Sequence, residues 1–243
     1  MAHEEYIRHT DGERVVLFIH GFLGSPEHFE KFIELIPEEY GIYNVLLYGH
    51  GGTVSDFSSA SMKIWKSQIE QILKELDAKY KEIVIVSHSM GTLFSYSMAI
   101  KYPKKIKAML LLGTPLKIKV RMSALVNSLK SLFGIISDED EIGKAYDKAH
   151  SVKLNFKLWE YVGWIPRYLE LFREAKAGRL NIQNVSIPCF IFQSAKDELV
   201  SFKSVKFIPQ KENIHLTVLK NSAHFIYDKE DFKIVLDKFI KII

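Results

Sequence analysis

The chain has 243 residues, 47% of them apolar and 12% aromatic, with 33 basic against 29 acidic side chains for a formal charge of +4. This is enough chain to bury a large core in one domain with an insertion, and its lysines are spread out instead of gathered in a nucleic-acid-binding arm. Met1-Ala-His-Glu-Glu5 is unlike a secretory signal, no apolar run nears the roughly 18–20 residues that span a bilayer, and the lone Cys189 excludes an intramolecular disulfide, so a soluble, cytoplasmic protein is expected.

In chain order, Thr10-Asp-Gly-Glu13 predicts a hairpin turn onto Tyr6 to Arg8. Short runs rich in β-branched and large apolar residues predict buried strands at Val15 to Ile19, Val45 to Leu47, Ile83 to Val86, Ile106 to Leu112, Cys189 to Phe192 and His215 to Leu219. Between them, Pro26 to Ile36, Met62 to Tyr80, Met90 to Tyr102 and Asp228 to Ile243 read as helices. Ile64, Trp65, Gln68, Ile69, Ile72, Leu73 and Leu76 fall mostly on one face at steps of three and four, with Lys66, Glu70, Lys74 and Glu75 opposite. Strand and helix alternate, as in a mostly parallel sheet built from βα units.

The strand pattern stops once, from Leu116 to about Leu180. Leu125, Val126, Leu129, Leu132 and Phe133 fall at helical spacing, followed by an aromatic set that includes Trp159, Tyr161, Trp164 and Phe172. A structureless loop of such length is improbable inside a compact domain, so residues 116–180 are predicted to be a small helical cap, and residues 1–115 and 181–243 the core.

Strand Ile83 to Val86 runs through Ser87-His-Ser-Met-Gly91 into a helix. That is the context of a nucleophile elbow, in which the middle serine, Ser89, sits on a strained strand-to-helix turn above the sheet. Small residues are needed two positions either side, where strand and helix approach. Gly91 meets the need; Ser87 departs from the usual glycine while staying small.

A serine hydroxyl needs a histidine base, and the base needs a carboxylate to orient it. On such sheets both follow the serine in the chain, the acid first. His150 lies in the predicted cap and His215 begins a strand, whereas His224 lies in the polar loop Asn221-Ser-Ala-His-Phe225 after the last strand, where sites gather. For the acid, Ser194-Ala-Lys-Asp-Glu198 follows strand Cys189 to Phe192; Asp197 is preferred and Glu198 is the alternative. Backbone N–H groups of Met90, directly after the nucleophile, and Phe22, in His20-Gly-Phe-Leu-Gly24, are the candidate oxyanion donors.

His20 is expected to orient its loop, and Tyr48-Gly-His-Gly-Gly52 to be a tight turn, since it lacks the lysine and spacing of a phosphate loop. His88 either contacts substrate or packs. His20, His28, His50 and His88 show no compact metal-ligand spacing, so neither metal nor cofactor is expected.

Together, His20-Gly-Phe-Leu-Gly24, Gly49-His-Gly51, Ser87-His-Ser-Met-Gly91, Gly113-Thr-Pro115, Ala195-Lys-Asp197 and Ser222-Ala-His224 resemble the α/β-hydrolase superfamily, and within it the capped carboxylesterases and monoacylglycerol lipases. The resemblance covers nearly the whole chain. It implies a mostly parallel eight-stranded sheet flanked by helices, with the cap inserted after the sixth family strand. Here the first family strand has no room, because only about 14 residues precede Val15, so a sheet shortened at its amino-terminal edge is expected. The family implies a serine esterase with a small-molecule ester substrate bearing an apolar acyl or alcohol group. Trp159, Tyr161, Trp164 and Phe172 would either line that pocket or dock the cap. Thioester, lactone or carbon–carbon bond hydrolysis and acyl transfer are the rival chemistries, and a non-catalytic binding homologue is the rival class. The oligomeric state is not legible.

Overall fold

A computed structural model describes residues 3–119, 144 and 150–243. Among these, the strands β1 (Tyr6–Arg8), β2 (Arg14–Ile19), β3 (Gly41–Asn44), β4 (Glu82–His88), β5 (Ile106–Leu112), β6 (Cys189–Ser194) and β7 (Ile214–Leu219) form one seven-stranded sheet in the order β1-β3-β2-β4-β5-β6-β7. From β3 to β7 all neighbours are parallel, and only the edge strand β1 runs antiparallel. Among the described residues the sheet has seven strands, against the eight that the resemblance implies.

Two local expectations are corrected. Tyr6–Arg8 does not form a hairpin with the strand that follows it, because β2 has parallel partners on both sides. The chain crosses over, and β1 pairs with β3 in the register Tyr6↔Asn44, Ile7↔Tyr43, Arg8↔Ile42. The predicted strand Val45 to Leu47 lies just past β3. Val45 and Leu47 are fully buried, but after Val45 N–H donates to Phe18 C=O at 3.3 Å the segment leaves the ladder for a turn, closed by His50 N–H to Leu47 C=O at 2.9 Å. Burial, not pairing, explains their apolar character.

The helices are α1 (Glu30–Ile33), which follows a 3-10 turn at Pro26–Phe29, then α2 (Val54–Ser59), α3 (Met62–Lys79), α4 (Met90–Lys101), α5 (Trp164–Asn181) and α6 (Lys229–Ile242). Caps set three starts: Thr53 accepts from Asp56 N–H before α2, Ser61 from Ile64 N–H before α3, and Asp228 from Glu230 and Asp231 N–H before α6. Alternation along the strands then divides the core. Leu17, Ile19, Ile85, Met109, Leu111 and Cys189 face α3, α4 and α5. Phe18, Val86, Leu110 and Phe192 face α1 and α6, whose Val235 and Phe239 close that layer.

Of the predicted cap, Leu125, Val126, Leu129, Leu132 and Phe133 lie outside the described residues. Residues 117–119 run beside the loop after β6, where Lys119 N–H donates to Leu199 C=O and Ser201 N–H to Lys117 C=O. Residues 151–153 run beside the loop after β2, where Ser151 N–H donates to Leu23 C=O. Helix α5 then buries Trp164, Leu171 and Ala175 in the same cluster as α3 and α4.

Candidate active site

The carboxyl ends of five parallel strands converge, and each contributes one part of the site. β4 ends at His88, and Ser89 turns the chain into α4 with φ 51° and ψ −121°. A positive φ is rare for a side chain with a Cβ, costing of order 1–3 kcal/mol, and persists only where neighbours over-determine it. Here Ser89 N–H donates to Leu112 C=O at 2.8 Å, Thr92 Oγ1–H donates to Ser89 C=O at 2.7 Å, and Thr92 Oγ1 lies 2.8 Å from Thr114 Oγ1, itself 2.8 Å from Tyr96 Oη. This buried hydroxyl chain ties the turn to Gly113-Thr-Pro115 after β5.

The neighbours of the turn behave as their sizes require. A Cβ on Gly91 would run into the Ile19 carbonyl oxygen and lie 2.8 Å from that of His20, so the start of α4 packs directly on the end of β2. Ser87 is fully buried, and its hydroxyl is absorbed by Ser95 Oγ at 2.9 Å, one α4 turn past Gly91. The departure from glycine is therefore compensated from within α4.

The loop after β2 lies against the turn: a Cβ on Gly21 would fall 2.9 Å from Ser89 Cβ. His20 holds this loop. Leu47 N–H donates to its Nε2 at 3.0 Å, which leaves Nδ1 to donate to Gly21 C=O at 2.9 Å. Burial, the largest influence, brings the His20 pKa down to about 4 and keeps the ring neutral. The N–H groups of Phe22 and Met90 both stay without an acceptor among the described residues. The Phe22 ring packs edge-on to Phe57 at 5.0 Å and against Tyr168 of α5 at 4.9 Å.

Asp197 and His224 come from the loops after β6 and β7, and both are buried. Nδ1 of His224 lies 2.8 Å from Asp197 Oδ2, while Asp197 Oδ1 accepts from Leu199 N–H at 2.9 Å and Val200 N–H at 2.7 Å. Glu198, the rival acid, also points at His224, but its Oε2 accepts from the His224 backbone N–H at 3.2 Å. Burial disfavours the imidazolium, yet the Asp197 charge and hydrogen bond, with Glu198 behind them, outweigh it and raise the His224 pKa above 6.5.

His88 is buried and its ring lies 4.6 Å from that of His224; its Nε2 is 3.1 Å from the His224 carbonyl oxygen, so Nε2 carries the proton. Burial first, then the charges of His28 and His224, lower its pKa well below 6.5. The ring of His28, whose place the sequence did not reveal, lies 4.0 Å from that of His88. Among the described residues no three or more His, Cys, Asp or Glu side chains are grouped to hold a metal ion.

The two tryptophans predicted to line the pocket or dock the cap go to different places. Trp164 is buried, its Nε1–H donates to Val54 C=O at 3.1 Å, and its ring meets Phe57 at 5.0 Å. Trp159 is 71% exposed on the outer surface. Phe22 is thus backed by Phe57, Trp164's own partner, whereas Trp159 has no such link to the site.

A parallel sheet with helices on both faces, a strained serine between β4 and α4, and an Asp–His pair at the ends of β6 and β7 define an α/β-hydrolase. The chain belongs to that family: the model for the alpha/beta hydrolase fold matches residues 14–219. Among curated proteins it is 32% identical over 107 residues to the probable lysophospholipase BODYGUARD 2 of Arabidopsis thaliana, a match covering 41% of this chain and 22% of that protein. Among solved structures it is similar to one reported with the metagenome-derived lipolytic enzymes LipS and LipT (TM-score 0.76, 20% identity, covering 99% of this chain and 98% of the other). It is similar too to the monoacylglycerol lipase of Paleococcus ferrophilus (TM-score 0.69, 14% identity, covering 100% of both).

Proposed function

We propose that the protein hydrolyses carboxylic esters through an acyl-enzyme on Ser89. The observation that carries this reading is the 2.8 Å contact between His224 Nδ1 and Asp197 Oδ2, with the His224 ring 4.6 Å from that of His88, the residue before the strained serine. Because Nδ1 donates to the carboxylate, Nε2 is the unprotonated nitrogen, available to take the hydroxyl proton as Ser89 Oγ attacks the ester carbonyl. The carbonyl oxygen gains negative charge, for which the free N–H groups of Phe22 and Met90 provide donors, each worth roughly 3–4 kcal/mol in the barrier. His224 then gives its proton to the leaving alcohol, and water, activated by the same ring, releases the acid. Asp197 orients the ring and stabilises the transient imidazolium. The residues 116–180 serve as the cap over an apolar acyl or alcohol group.

A fluorophosphonate probe tests the nucleophile directly. Wild type should be labelled once and Ser89→Ala not at all, and turnover of nitrophenyl esters should fall by roughly four to six orders of magnitude in that variant. A folded wild-type protein that takes no label would refute the reading, and graded acyl lengths would then size the pocket of one that does.

A further inference from the structure

The outer face of α5 and of the 3-10 turn before it, Leu158–Gly163, carries large apolar side chains in water. Leu158, Trp159, Ile165, Leu169 and Phe172 are each between 50% and 75% exposed. Scattered exposed apolar residues are ordinary, but Ile165, Leu169 and Phe172 recur at steps of four and three and so form one stripe, continued by the turn.

The charges around this stripe are sorted by sign. Every carboxylate of residues 150–181 is drawn aside: Glu174 pairs with Lys66 at 2.6 Å, Glu170 with Arg167 at 2.8 Å, and Glu160 accepts from Asn155 Nδ2 at 2.8 Å. Arg173 and Lys176 lie four residues after Leu169 and Phe172, on the same face. Both are exposed, and neither has an ion-pair partner among the described residues. A ridge of rings and aliphatic groups with interleaved cations and no exposed carboxylate matches a fluid anionic layer. Acyl chains take the apolar groups, while lipid phosphates take the cations at the ends of their flexible stems. No described helix is long and apolar enough to cross a membrane, and the contact proposed here is made by this face alone.

We propose that this face is a docking surface for an anionic lipid bilayer. Tyr168 of the same helix touches Phe22, so docking sets the loop after β2 close to the lipid. The docking itself does not depend on the hydrolase reading and is measured without turnover, in Ser89→Ala as well as wild type.

The protein carries its own reporter, since of its three tryptophans Trp65 and Trp164 are buried and Trp159 is exposed. Vesicles of phosphatidylglycerol and phosphatidylcholine in equal parts should shift the tryptophan emission to the blue and sediment the protein. Pure phosphatidylcholine vesicles, or 0.5 M salt, should weaken binding at least about fivefold. Leu169→Glu/Phe172→Glu and, separately, Arg173→Glu/Lys176→Glu should each lower the partition coefficient roughly tenfold or more. These side chains are exposed, so the melting temperature should stay within a few degrees of wild type, a control for the fold. Absence of binding to the anionic vesicles, or binding that neither pair of substitutions weakens, would overturn the proposal. So would a stable dimer by sedimentation velocity that Leu169→Glu/Phe172→Glu dissociates, because the face would then belong to a second copy of the chain.

Discussion

At the scale of single residues, two adjacent acids hold different atoms of His224 in the candidate site. Asp197 places one carboxylate oxygen on the His224 ring and spends the other on two backbone N–H groups; Glu198 holds the backbone of the same histidine. The sequence posed these acids as alternatives, since adjacency alone cannot say which atom of His224 each one meets. Their roles yield a pH prediction. With the His224 pKa raised above 6.5 chiefly by Asp197 against the opposing burial, kcat/KM should fall as pH drops through a midpoint above 6.5, where the base becomes protonated. Asp197→Asn should lower turnover roughly 10³–10⁴-fold and move that acid limb to lower pH, because the charge favouring the imidazolium is gone. A limb that does not move in the variant would assign it to another group.

At the scale of elements, the junction of β4 and α4 is the most constrained part of the chain. Its signal was readable because the steric demand acts on neighbours in sequence: a serine at φ 51° needs little on either side, and the residue types at 87 and 91 reflect it. Gly91→Ala should destabilise the fold by about 1–3 kcal/mol by overpacking α4 against the β2 carbonyls, seen as a lower urea midpoint, and should slow probe labelling of Ser89. Ser87→Gly should cost about 1 kcal/mol or less, because Ser95 keeps its bond to Gly91 C=O and only backbone freedom is added. Near-equal effects of the two substitutions would show that the crowding lies elsewhere. Pairing partners were less legible. β1 was assigned to the wrong neighbour because the hairpin signal is local, while the choice of edge depends on which sides of β2 are taken by distant strands.

At the scale of the whole molecule, the fold stores several histidines as neutral, buried rings. Burial is the largest cause in each case, taking His20 to about 4 and His28 to about 3 from 6.5. Their stabilising contribution is complete above pH 6.5, where the unfolded chain also leaves them neutral. It is lost as pH falls, because the unfolded chain then binds protons that the fold refuses. His20 alone should cost roughly 3 kcal/mol between pH 6.5 and 4. His224 acts in the opposite sense: its raised pKa adds stability below 6.5 that is lost as pH rises through the folded value, so it offsets part of the decline. Urea midpoints should therefore fall steadily from pH 7 to pH 4.5, and His20→Asn should flatten that slope even though it weakens the loop. A wild-type midpoint independent of pH in this range would mean that these rings are not held neutral.

The sequence by itself determined the fold class, the serine at the elbow and the candidate partners Asp197 and His224, because strand periodicity, turn chemistry and chain order are properties of consecutive residues. Only the tertiary structure decided how these parts meet. It brought strand ends more than a hundred residues apart in sequence to within hydrogen-bonding reach, set the His28 ring 4.0 Å from that of His88, and let Ser95 absorb the hydroxyl at Ser87. It also separated Trp164, which packs inward, from Trp159, which faces water, although the two are five residues apart. Such outcomes depend on which surfaces the sheet and α4 leave open for a helix to cover, and that is a property of the assembled layers.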